Sequence, residues 1–272
     1  MSSSEPSAAR ADTGATRRIE VCGHRLETLD VPATRSGRPA LVLMHEGLGS
    51  VSLWREFPAR LAQATGCRVV AYSRHGHGRS SPSPGPHEVR FMHQEALEVL
   101  PALRVALGLT RPLLVGHSTG ASMALIHAGA KRWPVAGVVA MAPLCFVEDV
   151  NLQSIRKMRE VFADTDLAQK MARHHDDPAA VFWSWNNIWL DPAFGAWSIE
   201  EDLAGIECKV LAILGKNDEY STPRQIDAIL RRAVHSAGLR VLELADCGHS
   251  PQRDQPELVL QNIAQFVDEC EV

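Results

Sequence analysis

The sequence lacks long apolar runs and an excess of basic residues. No apolar stretch approaches the ~18 residues of a membrane-spanning helix. There are 28 basic and 32 acidic residues, and the resulting net charge of −4 argues against nucleic-acid binding, which needs a basic surface. We therefore expect a protein that binds neither nucleic acid nor a membrane.

The cysteines form no recognisable pattern. All six are scattered, without a C-x-x-C pair, which is typical of free thiols in a reducing compartment rather than of disulfides or a zinc site. Residues 1–18 are small and polar and lack the apolar core of a secretory signal. We expect a cytoplasmic monomer or homodimer with a disordered tail over residues 1–18.

Signatures of a cofactor or metal are also missing. Gly76-x-Gly78 lacks a third glycine, because Ser81 stands there, and no P-loop lysine follows a glycine run. Residues 174–177 read His-His-Asp-Asp, but adjacent residues on a helix point apart, so a helix end before Pro178 explains them better than a metal site. The sequence predicts no cofactor and no metal.

Short apolar runs recur at helix-length intervals. Each is too short for a helix and is typical of a strand buried on both faces of a parallel sheet. The runs lie at residues 40–44, 67–72, 112–116, 135–141, 210–214 and 240–244. A hairpin pattern at 19–31 precedes them, and helical patterns separate them. The alternation predicts an α/β fold, with a mostly parallel sheet and helices on both faces.

The interval 144–202 breaks this rhythm. It contains amphipathic helix patterns, no strand run, and four of the six tryptophans. We expect a helical cap here, inserted into a core formed by residues 19–143 and 203–272. Such a cap would cover the carboxyl edge of the sheet, where ligands of open α/β sheets bind.

A G-x-S-x-G motif lies between a predicted strand and a predicted helix. It reads Gly116-His117-Ser118-Thr119-Gly120, and the strand–turn–helix context is the one this motif requires. A serine on such a turn is exposed at the top of the sheet. The pattern predicts Ser118 as a nucleophile and the N–H of Thr119 as an oxyanion donor.

A serine nucleophile needs a base, and the base needs an acid to orient it. Asp218 follows the run at 210–214, and His249 follows the run at 240–244. Ser118, Asp218 and His249 thus lie on separate loops after strands, in the Ser–acid–His order. Glu219 is the rival for the acid.

Three further motifs resemble the capped α/β-hydrolase superfamily over about residues 19–267. They are HEGLG at 45–49, SRHGHGRS at 73–80, and GHSP at 248–251, which is similar to esterase and enol-lactonase members. The resemblance implies that the N–H of Gly47 is the second oxyanion donor. Substrate-binding candidates are Leu48 and, within the cap, Trp185 and Trp189, because acyl pockets are mainly apolar and aromatic.

Two residues depart from the family pattern. Glu46 replaces a glycine beside the predicted oxyanion site; we expect an ion pair with Arg74 or Arg79 that points away from the pocket. The alternative is a contact to a cationic or hydroxylated substrate. Ser73 stands where many relatives carry aspartate, and we expect it to affect loop packing only.

The sequence predicts a cofactor-free serine hydrolase that cleaves a small carboxylic ester, lactone or thioester. One alternative is a carbon–carbon bond hydrolase of aromatic-degradation diketones. Relatives with that activity usually carry an aromatic residue soon after the histidine, and here residues 250–252 read Ser-Pro-Gln. The other is a binding module, which an eroded triad would favour, although all three members are present here. Fold resemblance alone does not choose the substrate.

Overall fold

An eight-stranded sheet organises the protein, for which a computed structural model describes residues 14–270. The strands are β1 (Ala15–Val21), β2 (His24–Val31), β3 (Leu41–Met44), β4 (Val69–Tyr72), β5 (Leu113–His117), β6 (Gly137–Met141), β7 (Lys209–Gly215) and β8 (Leu239–Leu244). Their spatial order is β1-β2-β4-β3-β5-β6-β7-β8. β1 and β2 pair antiparallel with their neighbours, and the six others are parallel. The predicted mostly parallel sheet is confirmed.

The first hairpin begins earlier than expected. Ala15 pairs with Asp30, so the tail predicted over residues 1–18 ends too late, and its remainder at 1–13 lies outside the described residues. The polar residues at the start of β1 are mostly exposed, because an edge strand needs a hydrogen-bond ladder and no apolar face. Cys22 and Gly23 both have positive φ (51° and 76°), as a two-residue type I′ turn requires.

Helices cover both faces of the sheet. They are α1 (Phe57–Thr65), α2 (Phe91–Gln94), α3 (Leu100–Ala106), α4 (Thr119–Gly129), α5 (Asp149–Asp164), α6 (Leu167–Ala172), α7 (Pro178–Leu190), α8 (Glu200–Leu203), α9 (Arg224–Arg232), α10 (Pro251–Asp254) and α11 (Pro256–Cys270). One buried cluster joins α1 and α11 to the sheet, and the other joins α2, α3, α4 and α9 to the opposite face. Within residues 14–270 no helix combines the length and apolarity that crossing a bilayer requires.

The helical segment between β4 and β5 is interrupted. It begins at Phe91, and a π-helical turn at Glu95–Val99 separates α2 from α3. Pro101 has no N–H and its ring crowds the carbonyl four residues earlier, so the helix widens there. The wider turn carries Glu95, which is buried and accepts a 2.7 Å hydrogen bond from the Tyr72 hydroxyl.

The segment between β6 and β7 contains the predicted cap, residues 144–202. It holds α5, α6 and α7 and the start of α8. Phe146 and Ser198 form an isolated antiparallel bridge, so the two ends of the segment are joined where they leave the sheet. The segment therefore returns to its starting point above the carboxyl edge of the strands.

Candidate active site

Ser118 lies on a sharp turn between β5 and α4. Its backbone has φ 54° and ψ −121°, a conformation that L-residues rarely adopt and that is typical of a nucleophile turn. A side chain at Gly116 would overlap the carbonyl of Gly120, and one at Gly120 would overlap the carbonyl of Met44. Gly116 is therefore needed for the strand to pack against the start of α4, and Gly120 is needed for the turn to pack against β3.

The structure brings the three predicted triad residues together. His249 Nε2 lies 2.9 Å from Ser118 Oγ, and His249 Nδ1 lies 2.9 Å from each carboxylate oxygen of Asp218. Ser118 and the Asp218 side chain are buried. The ring nitrogens of His249 thus connect the hydroxyl to the carboxylate, the arrangement that general-base activation of a serine requires. Glu219 accepts from the His249 backbone N–H at 3.3 Å rather than facing its ring.

Asp218 is held by donors from its own loop. Its Oδ1 accepts from the backbone N–H of Tyr220 (2.8 Å) and Ser221 (3.2 Å), and Oδ2 accepts from the Ser221 hydroxyl at 2.8 Å. Burial alone would raise the pKa of Asp218, but His249 and these donors outweigh burial and lower it. The carboxylate therefore stays charged beside the imidazole.

His117 supports the candidate triad through His249, a role that the sequence did not predict. Its Nδ1 accepts from the Gln252 side-chain amide at 3.2 Å, so its Nε2–H donates to the His249 carbonyl at 2.6 Å. Burial lowers the pKa of His117 to about 3, and the neighbouring His249 adds to the shift. The neutral His117 ring thus fixes the backbone of His249, the predicted base. The only feature of the sequence that could have indicated this role is the position of His117 directly before Ser118.

The turn after β3 presents backbone N–H groups beside Ser118. Gly47 and Thr119 line the same cavity as Ser118, and neither backbone N–H has an acceptor among residues 14–270. The Glu46 carbonyl accepts from Arg74 Nη2 and His45 Nδ1, each at 2.8 Å. Because a trans peptide directs its C=O and N–H oppositely, this anchoring turns the N–H of Gly47 away from Arg74.

The next two carbonyls of the turn also face histidine rings. Gly47 O lies 3.1 Å from His77 Nε2, and Leu48 O lies 2.9 Å from His175 Nε2. His175 Nδ1 accepts from the Gly78 N–H at 3.0 Å, so its Nε2 carries the proton. His175 belongs to the predicted cap and thereby ties the cap to the turn. Within residues 14–270 no group of three or more His, Cys, Asp or Glu side chains is arranged to hold a metal.

The prediction that Glu46 forms an ion pair with Arg74 or Arg79 is wrong. The Arg74 guanidinium donates to the backbone carbonyls of residues 45 and 46, and Arg79 pairs with Asp176 at 2.5 Å. The Glu46 carboxylate instead accepts from the Leu48 N–H, and Glu46 lines the cavity that contains Ser118. Burial raises the pKa of Glu46, although the hydrogen bond from Leu48 and the charge of Arg74 oppose the rise.

A cavity of about 170 Å³ opens on Ser118 and His249. The three predicted substrate-binding residues, Leu48, Trp185 and Trp189, all line it. A side chain on Gly47 would overlap the Trp185 indole, so the predicted cap packs directly on the turn that carries the predicted oxyanion donor. Sequence spacing could not reveal this contact, because about 140 residues separate the two positions.

Comparison with known proteins agrees with this architecture. The model of the alpha/beta hydrolase family matches residues 41–262. A proline iminopeptidase of Lactobacillus helveticus (strain DPC 4571) is 38% identical over 93 residues, 34% of this chain and 31% of that protein. The bifunctional esterase/perhydrolase DCH of Acinetobacter calcoaceticus is 29% identical over 186 residues, 57% of this chain and 65% of that protein.

The matches to the iminopeptidases span about a third of the length of those curated relatives. Among solved structures, the enol-lactonase from Burkholderia xenovorans LB400 superposes with a TM-score of 0.72 at 21% identity, covering 93% of this chain and 100% of that one. That likeness shows the fold. Because the family match extends from β3 into α11 and the sheet has the mostly parallel order described above, the chain belongs to the alpha/beta hydrolase family.

Proposed function

We propose that the protein is a cofactor-free serine hydrolase that cleaves a small carboxylic ester, lactone or thioester. The observation that carries the proposal is the continuous hydrogen-bonded line from Asp218 through His249 to Ser118, with distances of 2.9 Å at each step. The small size of the cavity favours a short acyl group. The names of the esterase and enol-lactonase relatives point to the same bond type.

The reaction would proceed through an acyl-enzyme. Ser118 Oγ attacks the substrate carbonyl while His249 Nε2 takes its proton, and Asp218 stabilises the resulting imidazolium. The backbone N–H groups of Gly47 and Thr119 would stabilise the oxyanion. His249 then gives the proton to the leaving group, activates a water molecule for attack on the acyl carbonyl, and returns that proton to Ser118 as the acid is released.

Hydrolysis of p-nitrophenyl acetate and butyrate by the wild type and by Ser118→Ala tests this proposal. We expect release of p-nitrophenol with an initial burst in the wild type, and loss of about 10⁴–10⁶-fold in the variant. Mass spectrometry of the quenched burst should show one acyl group on the peptide with Ser118. Turnover by a folded Ser118→Ala variant would exclude the mechanism. A wild type inactive on all esters would favour a carbon–carbon substrate or a binding role.

A second candidate is hydrolysis of an amide after an N-terminal imino acid, the activity in the name of the iminopeptidase relatives. The position of Glu46 favours it, because a carboxylate in the cavity wall would attract a substrate ammonium group. Proline p-nitroanilide is the probe. We expect Glu46→Gln to lower kcat/KM for it about tenfold, and to leave N-acetylproline p-nitroanilide unaffected if the carboxylate recognises the cation.

A further inference from the structure

The two parts of a bound ester would lie against different residues of the candidate active site. The backbone N–H groups of Gly47 and Thr119 would hold the carbonyl oxygen of the acyl part. His249 Nε2, which lies 2.9 Å from Ser118 Oγ, would give its proton to the oxygen of the leaving group. The leaving group would therefore lie beside the His249 ring, and the side chains around that ring indicate which leaving groups fit.

The side chains around the His249 ring are polar, and two of them are acidic. The Tyr220 ring lies 4.8 Å from the imidazole, at an angle of 45°, and the Glu219 carboxylate accepts from the His249 N–H at 3.3 Å. Ser250 follows His249 directly, and Glu46 is close enough for the charge of His249 to act on its carboxyl. These four neighbours of His249 all line the catalytic cavity.

Some of these polar groups are free to bind a ligand and are not fully buried. The backbone N–H and carbonyl of Tyr220 are both bonded, but its hydroxyl has no hydrogen-bond partner among residues 14–270 and keeps accessible surface. The Glu46 side chain is half-buried, and one of its carboxylate oxygens accepts from the Leu48 N–H. The other oxygen has no donor within residues 14–270.

The negative charge of this wall is not balanced by basic side chains of the cavity. Among the described residues that line the cavity, Glu46 and Glu219 carry carboxylates and none is a lysine or arginine. The Arg74 guanidinium donates to backbone carbonyls, and Arg253 lies 3.7 Å from the carboxylate of Asp254. The cavity therefore attracts a cation and repels an anion.

An ammonium group fits these features. It would pair with the free oxygen of Glu46, and the pairing would favour the charged form of this carboxyl. An aromatic ring attracts a cation that lies within about 6 Å of its centre, and the Tyr220 ring is available for this contact. Burial raises the pKa of Tyr220 to about 12, and the charges of Glu219 and Glu46 add to the rise. The phenol thus stays neutral, and Glu46 and Tyr220 lie within reach of one ligand.

Building on the hydrolase function proposed above, we infer that Glu46 and Tyr220 are specificity-determining residues that bind a positively charged leaving group, so that esters of amino alcohols are the preferred substrates. The test compares acetylcholine with neohexyl acetate, in which a neutral carbon replaces the ammonium nitrogen at nearly the same shape. Each kcat/KM is divided by the rate of spontaneous hydroxide hydrolysis in the same buffer, which removes the intrinsic reactivity of the ester. The ratio of the two normalised values measures the preference for the cation.

We expect the wild type to prefer acetylcholine by about tenfold or more, and Glu46→Gln to lower this preference about tenfold. The glutamine keeps an oxygen that can accept from the Leu48 N–H. Tyr220→Leu, which removes the ring, should lower the preference about threefold or more, whereas Tyr220→Phe should retain most of it. Because the preference is a ratio within one variant, a general effect of a substitution on acyl transfer cancels.

Glu207→Gln is the matched control for the loss of a negative charge. Glu207 pairs with Lys131 at 2.8 Å and precedes β7, so it lies at the amino edge of the sheet, away from the cavity. We expect this variant to keep the wild-type preference. Thermal melts establish that each variant is folded.

A preference that stays within about twofold of the wild-type value in folded Glu46→Gln or Tyr220→Leu would overturn this assignment, and so would a wild type that does not prefer acetylcholine. A preference for cations that appears only with proline p-nitroanilide would place the ammonium in the acyl part and would also overturn it. The hydrolase proposal survives each of these results if hydrolysis of p-nitrophenyl acetate depends on Ser118. If Ser118→Ala hydrolyses that ester as well as the wild type does, both proposals fail.

Discussion

The carboxyl edge of the sheet and the cap segment face each other across one cavity, but they are built differently. At the sheet edge, Asp218 and His249 are fixed by hydrogen bonds between 2.8 and 3.2 Å, and the backbone carbonyls of Glu46 and Leu48 on either side of Gly47 are anchored. The cap segment contributes mainly apolar surface, and the indole nitrogens of Trp189 and Trp197 are buried with no hydrogen-bond partner among residues 14–270. Hydrogen-bonded polar groups thus lie where bonds would be made and broken, and apolar surface lies where substrates would differ.

The sharpest way to test the role of the sheet edge is Asp218→Asn. The amide cannot hold His249 in the tautomer that accepts the serine proton, so we expect kcat for ester hydrolysis to fall about 10³–10⁴-fold. Glu219→Gln is the matched control. Among residues 14–270 the Glu219 carboxylate makes one hydrogen bond, from the backbone N–H of His249, so its loss should cost less than about tenfold. Equal losses in the two variants would contradict the assignment of Asp218 as the acid.

The contact between the two regions can be broken at Gly47. In Gly47→Ala the new methyl group overlaps Trp185, and the strain should displace the oxyanion turn. We expect kcat to fall about 10–100-fold and the free energy of unfolding to drop by about 1–3 kcal/mol. Adding Trp185→Leu should recover much of both losses, because it empties the space. Kinetics and urea unfolding of the single and double variants measure this coupling, and additive losses would exclude it.

Acid should weaken both regions through their buried histidines. Burial lowers the pKa of His117, at the sheet edge, to about 3 and that of His175, in the cap, to about 4. Because the folded protein keeps both rings neutral, their stabilising contribution is complete above about pH 6.5 and is lost as the pH falls toward these values. Each histidine should lower the free energy of unfolding by at most about 1.4 kcal/mol for each unit by which the pH falls in this range.

Urea unfolding between pH 7.5 and 4.5 measures the slope of the free energy of unfolding against pH. His117→Gln and His175→Gln keep a donor near the Nε2 position and cannot titrate, so each should flatten the slope by up to one histidine's share. A slope that is the same in the wild type and both variants would show that these rings do not remain neutral in the folded state.

The smallest effect on kcat should come from replacing Ser221, which donates to the carboxylate of Asp218. Ser221→Ala removes the hydroxyl that donates to Asp218 at 2.8 Å but leaves the two backbone donors in place. Losing one of several donors to a carboxylate costs about 1–2 kcal/mol, so we expect kcat to fall about tenfold or less. A loss as large as that of Asp218→Asn would mean that Ser221 itself orients His249.

The sequence was most informative where local pattern and chain order suffice. Short apolar runs identified the parallel strands, although β8, predicted to be buried, is a mostly half-buried edge strand. The strand–turn–helix context of Ser118 indicated its turn. Asp218 and His249 were found because the carboxyl ends of parallel strands meet at one edge. The start of the first strand was harder to predict from the sequence, because β1 is an exposed edge strand that carries no apolar pattern.

Pairwise contacts between distant loops were beyond sequence reasoning. Glu46 was expected to pair with an arginine because opposite charges attract, but the backbone carbonyls of His45 and Glu46 already occupy the Arg74 guanidinium. The support of His249 by His117 depends on the position of Gln252 in a later helix. Such competition for one donor is decided by three-dimensional geometry, which spacing alone does not encode.

The bridge between Phe146 and Ser198 has an evolutionary consequence. Because the cap leaves and re-enters the sheet at adjoining points, its length and helix content can change without altering the spacing of β6 and β7. The region proposed to contact the substrate is thus a module on a fixed attachment point. Exchange of the residues between the two anchors, with Phe146 and Ser198 retained, is the natural route by which this scaffold would diversify, and the same boundaries suit the grafting of a foreign cap.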